Sequence, residues 1–396
     1  MVSNKVAITS IVAILSITIG AYFVLGSAAA PPQYGRYLIS TDGSGNYSAE
    51  SATGGIDYSG TSASAVINSA ISSLPAGGGT IFVDAGTYEL TNTINLNKSN
   101  VLLHGAGSST ILDMQDDEYL IYIKGVDNVT IENLTLTGAG VEKSSNTLIM
   151  ISYDENITVQ NCYFYEAGAH TIFAVETDYS LFTRNHVFNS AWDAIALAQG
   201  SDHNIVSDNY VDNTLSFYNG IDINGRVKAS MHNTIINNTI LWSHGGICFD
   251  TASQNIAQGN TISHVILGID NTGAGGTTAT TDNQLIGNTI SYSEGAGGYS
   301  AGIQISGLAD RTTVTGNTIS FFSDGRCILV GSTNNTIDNN TFNNSYLGVK
   351  LSADLNTVSN NLFQDLTTGI EIYPGGTNIT LSGNTFVNVT IPTSWL

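Results

Sequence analysis

From residue 127 onward, apolar and polar residues alternate in short runs of 3–5, the two-residue period of a half-buried strand, and the runs recur. In each unit an Asn sits between two such runs, as in VTIENLTL, ITVQNCYF, NIVSDNYV, TIINNTIL, TVTGNTI and ITLSGNTF. The anchors are Asn133, Asn161, Asn185, Asn209, Asn238, Asn260, Asn288, Asn317, Asn340, Asn361 and Asn384, spaced 21–29 residues apart. Between anchors lies a third alternation: TIFAV, AIAL, GIDI, GICF, GIQI, GVKL, GIEI. Three short strands in about 22 residues leave no room for a helix. They make one turn of a parallel β-helix, each coil ~4.8 Å above the last. Asn suits the tight bend because it tolerates the left-handed conformation, and stacked Asn amides can bond from coil to coil. A leucine-rich repeat has a similar period, but it needs Leu at fixed places where this chain has Ile, Val and Phe. The expected fold is therefore an all-β parallel β-helix over residues 77–396.

The ends read differently. SASAVINSAISSL (62–74) places Ala65, Val66, Ala70, Ile71 and Leu74 on one helical face. That predicts a helix within 61–76, capping the otherwise open strand edges of the first coil. Residues 386–396, with Pro392 and Trp395, are expected to close the other end. Residues 31–60 are rich in Gly, Ser and Tyr and read as a spacer or the entry to the domain. Residues 6–25 form an apolar run behind Lys5, followed by small residues to Ala30. This run fits either a cleaved signal peptide or an uncleaved membrane anchor, and both place the remainder outside the cytoplasm, secreted or at the cell surface.

Composition narrows the function. The 396 residues carry 32 acids against 11 bases, a net charge of −21, with charged residues at 11%. Nucleic-acid binding needs clustered Lys and Arg and is excluded. A chain that is 42% hydrophobic is also not a disordered one. The 3 cysteines, Cys162, Cys248 and Cys327, are too few for a disulfide framework, and Cys248 and Cys327, on the same strand three coils apart, are expected to be buried or inert. Eleven Asn-x-Ser/Thr sequons, Asn128, Asn156 and Asn378 among them, are close to what this composition gives by chance.

GGGTIFVDAGTYEL followed by NVLLHGAGSSTIL, behind a short helix and ahead of Asn-anchored coils, resembles the right-handed parallel β-helix proteins of the pectate-lyase-like superfamily. The resemblance covers about residues 55–390 and implies a right-handed solenoid. It leaves activity open, since that superfamily holds polysaccharide lyases, galacturonan hydrolases, uronate epimerases, phage tailspikes and non-catalytic surface proteins. Its members usually work on the outer face of the sheet formed by the third strand, here the GIxI strand. Longer units carry their extra residues beside that strand, at 138–146, 225–233, 271–281 and 292–300, as walls of a groove would require.

Aligning the third strands gathers a polar and aromatic cluster. The position before the Gly/Ala slot runs His170, Asp193, Asn219, Gly245, and one step earlier stand Trp192, Tyr218 and His244. Outward within the strand come Ala196, Asp222, Cys248, Asp270 and Gln304. Asp193 and Asp222, one coil and two residues apart, would be separated by roughly 8 Å. That suits an acid and a base flanking a water in inverting glycoside hydrolysis. His170 and His244 are further acid/base candidates, with Trp192, Tyr218, Asn219, Asn224, Trp242, Arg226 and Lys228 as candidate sugar contacts. In the resemblance to galacturonan hydrolases, Asp193 of WDAIAL falls on the second Asp of that family's paired-Asp strand. A lyase or epimerase would instead use His170, His244 or Tyr218 as base and Arg226 or Lys228 to neutralise a uronate. No cofactor is required, while Asp250 and Asp270 could help to hold calcium. The expected partner is a polysaccharide or other glycan, met by a monomer as hydrolase, lyase or non-catalytic surface binder. An acidic surface favours a neutral glycan over a polyuronate.

Overall fold

A computed structural model describes residues 35–214, 217–273, 279–291 and 300–396. The apolar run 6–25 lies outside the described residues, as do parts of two expected wall insertions, 274–278 and 292–299. From Gly79 onward the described residues form a parallel β-solenoid of about 13 coils. Each coil contributes a strand to three stacked rows. The first row runs from Gly79–Val83 through Val101–Gly105 and Thr130–Glu132 to Thr380–Ser382. The second row contains Thr135–Thr137, Tyr163–Ala167, His186–Ser190 and Tyr210–Thr214. The third contains Ile149–Ser152, Ile172–Val175, Ile195–Ala198, Asn219–Asn224, Gly245–Asp250, Leu267–Thr272 and Ala301–Ser306. Alternate residues point inward, so Ile195, Ile221, Ile247, Ile269 and Ile303 form one fully buried file inside the third row. The Gly of GIxI has a steric cause. A Cβ on Gly246 would meet the Gly268 carbonyl of the next coil and lie 2.5 Å from Ile262 Cγ2.

The turn between the first and second rows holds an Asn ladder, with one register change from the sequence reading. Asn185, Asn209, Asn238, Asn260, Asn288, Asn317, Asn340, Asn361 and Asn384 stack, each backbone N–H donating to the next Oδ1 at 2.8–3.0 Å. Asn133 and Asn161 sit one position earlier, with φ of 56° and 53°, and Leu134 and Cys162 occupy the ladder slot in those coils. The left-handed residue in later coils is likewise the one before the ladder Asn, such as Asn237 at φ 57°. A second ladder, not read from the sequence, lines the turn from the third row back to the first: Asn204, Asn233, Asn255 and Asn283, then Asn335 and Asn356. Thr312 interrupts it. There Asn271, fully buried among the inward residues, takes a hydrogen bond from Asn283 at 2.8 Å and donates to Thr312 Oγ1 at 2.7 Å.

The helix is present as Ala63–Ser73, N-capped by Ser62, with Val66, Ile67, Ala70 and Ile71 buried against the first coils and Ala65 turned outward. Two expectations need correction. Residues 35–60 are the entry to the domain and not a spacer: Gly35–Thr41, Tyr47–Ser51 and Gly55–Gly60 form an antiparallel meander whose first strand extends the first row beside Gly79–Val83. Nor does 386–396 fold over the far end. Thr385–Trp395 is a strand of the last coil, paired in parallel with Leu362–Ile372, and Val387, Ile391 and Trp395 remain exposed.

Candidate functional site

Strand register converts the sequence columns into a surface. Ala196, Asp222, Cys248, Asp270 and Gln304 stand in line on consecutive coils of the third row, as do Ala198, Asn224, Asp250 and Thr272. The turns entering these strands bring His170, Trp192, Asp193, Tyr218 and Asn219 to the same face. Together they line a cleft of about 390 Å³ whose wall and floor include His170, Phe173, Trp192, Asp193, Tyr218, Asn219, Asp222, Asn224, Arg226, Cys248 and Asp250. Trp192 and Tyr218 stack at 5.7 Å between ring centroids, and His170 packs edge-on to Trp192 at 5.1 Å.

Asp193 is held from two sides. Asn219 donates to its Oδ1 from the backbone N–H at 2.7 Å and from Nδ2 at 3.2 Å, while His170 Nδ1 lies 3.7 Å from Oδ2. Burial pushes the Asp193 carboxyl up, against the opposing pull of His170, and burial pushes His170 down. Asp222 is raised well above the ordinary carboxylate range by burial and then by the charge of Asp193. Its own partners are Asn224 Nδ2 at 3.4 Å and the Cys248 thiol. The two carboxyls thus share one electrostatic environment. Their register differs from the sequence estimate, however. Asp193 aligns with Asn219, so Asp222 lies one coil up and three residues along, ~11 Å between backbones rather than 8 Å.

Other candidates fall elsewhere. His244 packs against Phe217 at 5.5 Å, outside the cleft lining, and burial pushes its imidazole down. Trp242, 53% exposed on the turn before the third row, stacks on His264 at 3.9 Å. The stem of Lys228 lies over Gly200. Arg226 lines the cleft but donates Nε to Asp250 Oδ2 at 3.3 Å. Asp270 stands one coil beyond the cleft, accepts from Gln304 Nε2 at 3.2 Å, and burial pushes it up to about 6. Among the described residues no group of three or more His, Cys, Asp and Glu converges to hold a metal ion.

Four lining residues escaped the sequence reading, the small Ala198 and three larger ones. Phe173 stacks on His170 at 4.5 Å, Gln199 follows the third strand, and Phe217, at the rim, is 79% exposed. The outward alternation of IFAV could have found Phe173. Cys248 and Cys327, expected to be buried or inert, are both buried, but Cys248 is not remote from the cleft. It lines the floor and touches Asp222, while Cys162 and Cys327 are fully buried.

Comparisons with known proteins agree on the architecture. The sequence profile described as right handed beta helix region matches residues 94–226, and that described as periplasmic copper-binding protein (NosD) matches residues 219–394. No curated protein matches the chain. Among solved structures, the catalytic domain of a GH87 alpha-1,3-glucanase in complex with nigerose is similar over 84% of this chain and 64% of its own, with TM-score 0.62 and 15% identity. The chain thus spans less than two thirds of that domain. The mannuronan C-5 epimerase A-module of Azotobacter vinelandii is similar over 82% of this chain and 93% of its own, with TM-score 0.59 and 17% identity. The surface protein and adhesin PfbA of Streptococcus pneumoniae is similar over 84% and 94%, with TM-score 0.56 and 14% identity. The chain is a right-handed parallel β-helix protein, and it shares that fold with carbohydrate-active enzymes and a surface adhesin.

Proposed function

We propose that the protein is an extracytoplasmic glycan hydrolase working in the third-row cleft. The observation behind this reading is the placement of Asp193 and Asp222 in one cleft walled by the stacked Trp192 and Tyr218. Asp222, held protonated by burial and by its neighbour's charge, is the general acid: it gives its proton to the glycosidic oxygen as the C–O bond breaks. Asp193, anchored by Asn219, takes a proton from the water that attacks the opposite face of the sugar. The three-residue offset leaves space for that water, which supports inversion. His170 holds Asp193 in place, and Trp192 and Tyr218 offer apolar faces to the ring. A lyase or epimerase is less well supported, because Arg226 is tied to Asp250 and Lys228 lies off the cleft. A net charge of −21 also argues for a neutral glycan over a polyuronate. The fold shared with an adhesin, the profile described as periplasmic and the apolar run 6–25 support a location outside the cytoplasm. The acid/base step runs on the chain's own carboxyls, so calcium enters the test as a variable.

One observation favours glycan binding without turnover. Both carboxyls are pushed up, and if neither is ionised at working pH the cleft has an acid but no base. The test is hydrolysis of a panel of neutral and uronate glycans, with and without calcium, by the wild type, Asp193→Asn and Asp222→Asn. Turnover of a neutral glycan, cut ~10²–10⁴-fold by either substitution, is the expected result. Binding without turnover selects the second reading. Turnover untouched by both substitutions sinks the catalytic assignment.

A further inference from the structure

The outer face of the second row carries a separate feature. Its outward positions can be read coil by coil from the strand register. One file runs Thr135, Tyr163, His186, Tyr210, Thr239, Thr261, Thr289, Thr318, Thr341. The file beside it, nearer the third row, runs Thr137, Tyr165, Phe188, Asp212, Leu241, Ser263, Ser291, Ser320. Small hydroxyl residues are what this fold uses on that face, since Thr is β-branched and tolerates water. Five rings replace them, and only in three consecutive coils. Those are the coils that build the cleft, supplying His170 and Phe173, then Trp192 and Asp193, then Tyr218, Asn219 and Asp222.

The rings form a connected patch. Tyr163 and His186 stack at 4.9 Å, Tyr165 and Phe188 at 5.3 Å, and Phe188 and Tyr210 meet at 5.8 Å. Core packing does not explain them, because all five point away from the solenoid interior and none is buried; Tyr165 is 37% exposed. The patch continues toward the cleft across one turn: three residues separate Phe188 from Trp192, at most ~14 Å of chain over four Cα–Cα steps. No Lys or Arg occupies the two second-row files in these three coils; Arg184, exposed on the turn before His186, donates to Asn161 Oδ1 at 3.0 Å and Gln160 Oε1 at 2.8 Å, while Asp212 accepts from the Tyr210 hydroxyl at 3.3 Å. Aromatic rings beside an acidic group suit the C–H faces and hydroxyls of uncharged sugars and reject polyanions.

We infer that Tyr163, Tyr165, His186, Phe188 and Tyr210 form a second glycan-binding surface, which holds a neutral polysaccharide chain running out of the cleft across the turn. This rests on the glycan reading of the cleft and adds a place for the part of the chain that is not being cleaved. Short oligosaccharides fill the cleft alone, and only longer chains reach the patch.

The test restores what the neighbouring coils already use: Tyr163→Thr, Tyr165→Ser, Phe188→Ser and Tyr210→Thr combined in the full chain, with Phe188→Ser alone as a milder variant. Retention is measured by electrophoresis through gels containing dextran or mannan and by co-sedimentation with insoluble alpha-1,3-glucan. Disaccharide binding and melting temperature are followed in parallel. The expected result is at least about tenfold weaker retention of the variants on one of these polysaccharides, with unchanged disaccharide binding. Equal retention of wild type and variants overturns the proposal. Failure of the wild type to be held by any of the three also overturns it, and turnover of oligosaccharides in that case leaves the cleft reading standing.

Discussion

The carboxyls on the third row sit in an environment far from that of water. Asp193, Asp222 and Asp270 are all pushed up, with burial the largest cause each time. For Asp270 the folded-state value is about 6 against an ordinary 3.8. A raised value means that the folded state holds the proton more tightly than the unfolded one. The resulting stability is complete below about pH 4 and is lost as pH rises through about 6. Melting temperature should therefore fall between pH 4 and pH 7, and Asp270→Asn, neutral throughout, should flatten part of that fall, at most about 3 kcal/mol. Differential scanning fluorimetry across this range checks it, and an Asp270→Asn curve parallel to wild type would contradict the assignment. At this scale the sequence was informative about which residues share a face. His170, Trp192, Asp193, Tyr218, Asn219, Asp222 and Asn224 all reach the cleft because alternation and the Gly slot set their column. His244 and Trp242 escaped because a column fixes a position along the strand, not the direction in which a turn residue's ring leaves the backbone. Trp242, at φ 54°, turns onto His264 instead.

At the scale of the element, the turns show what periodicity can and cannot reveal. The Asn repeat located every bend of the first ladder but not the slot in two coils. Asn133 and Asn161 occupy the adjacent left-handed position, which Asn also suits. The second ladder was legible as well, since each of its Asn residues stands five before a first-ladder Asn, although the stretch that precedes it varies in length. Each ladder amide replaces solvent for buried backbone groups. Asn238 donates to Val206 O at 2.9 Å and to Asn260 Oδ1 at 3.0 Å, and accepts from the Asn209 backbone at 3.0 Å. Asn238→Ala leaves these groups unpaired and should cost about 2–4 kcal/mol in urea denaturation. Asn384→Ala, at the partly exposed end of the same ladder, should cost less. Equal losses at both sites would argue against the role of burial.

The whole molecule is a one-dimensional stack in which each coil is supported by its two neighbours. The meander 35–60 and the helix Ala63–Ser73 cover the first coil, an arrangement only half legible beforehand. The helix announced itself by its apolar face, whereas the meander's Gly- and Ser-rich strands have too little alternation to read. Deleting residues 35–76 uncovers the Gly79–Val83 strand and the apolar side of the first coils. The shortened protein should aggregate, seen as a shift to the void volume in size-exclusion chromatography, while the full chain stays in solution. A deletion variant that remains monomeric would show that the first coil is stable without its cover. Fold and cleft position could be anticipated from the repeat. The charge environment of the cleft could not, since it depends on how deeply each outward Asp is enclosed.

The interruption of the second ladder at Thr312 has a consequence for how this sequence can change over time. Asn271 sits where neighbouring coils place Phe249 and Ile305, and its amide is satisfied only because Thr312 offers a hydroxyl and Asn283 a donor. Converting Asn271 alone to an apolar residue removes one acceptor from Asn283 Nδ2, which keeps only its bond to Ala252 O at 2.7 Å, and takes the donor from Thr312 Oγ1. Replacing Thr312 alone by Asn puts a second amide where one already bridges the gap. The two positions are therefore epistatic partners, joined across 41 residues of chain, and the mutational path from this coil to a regular one runs through an intermediate less stable than either end.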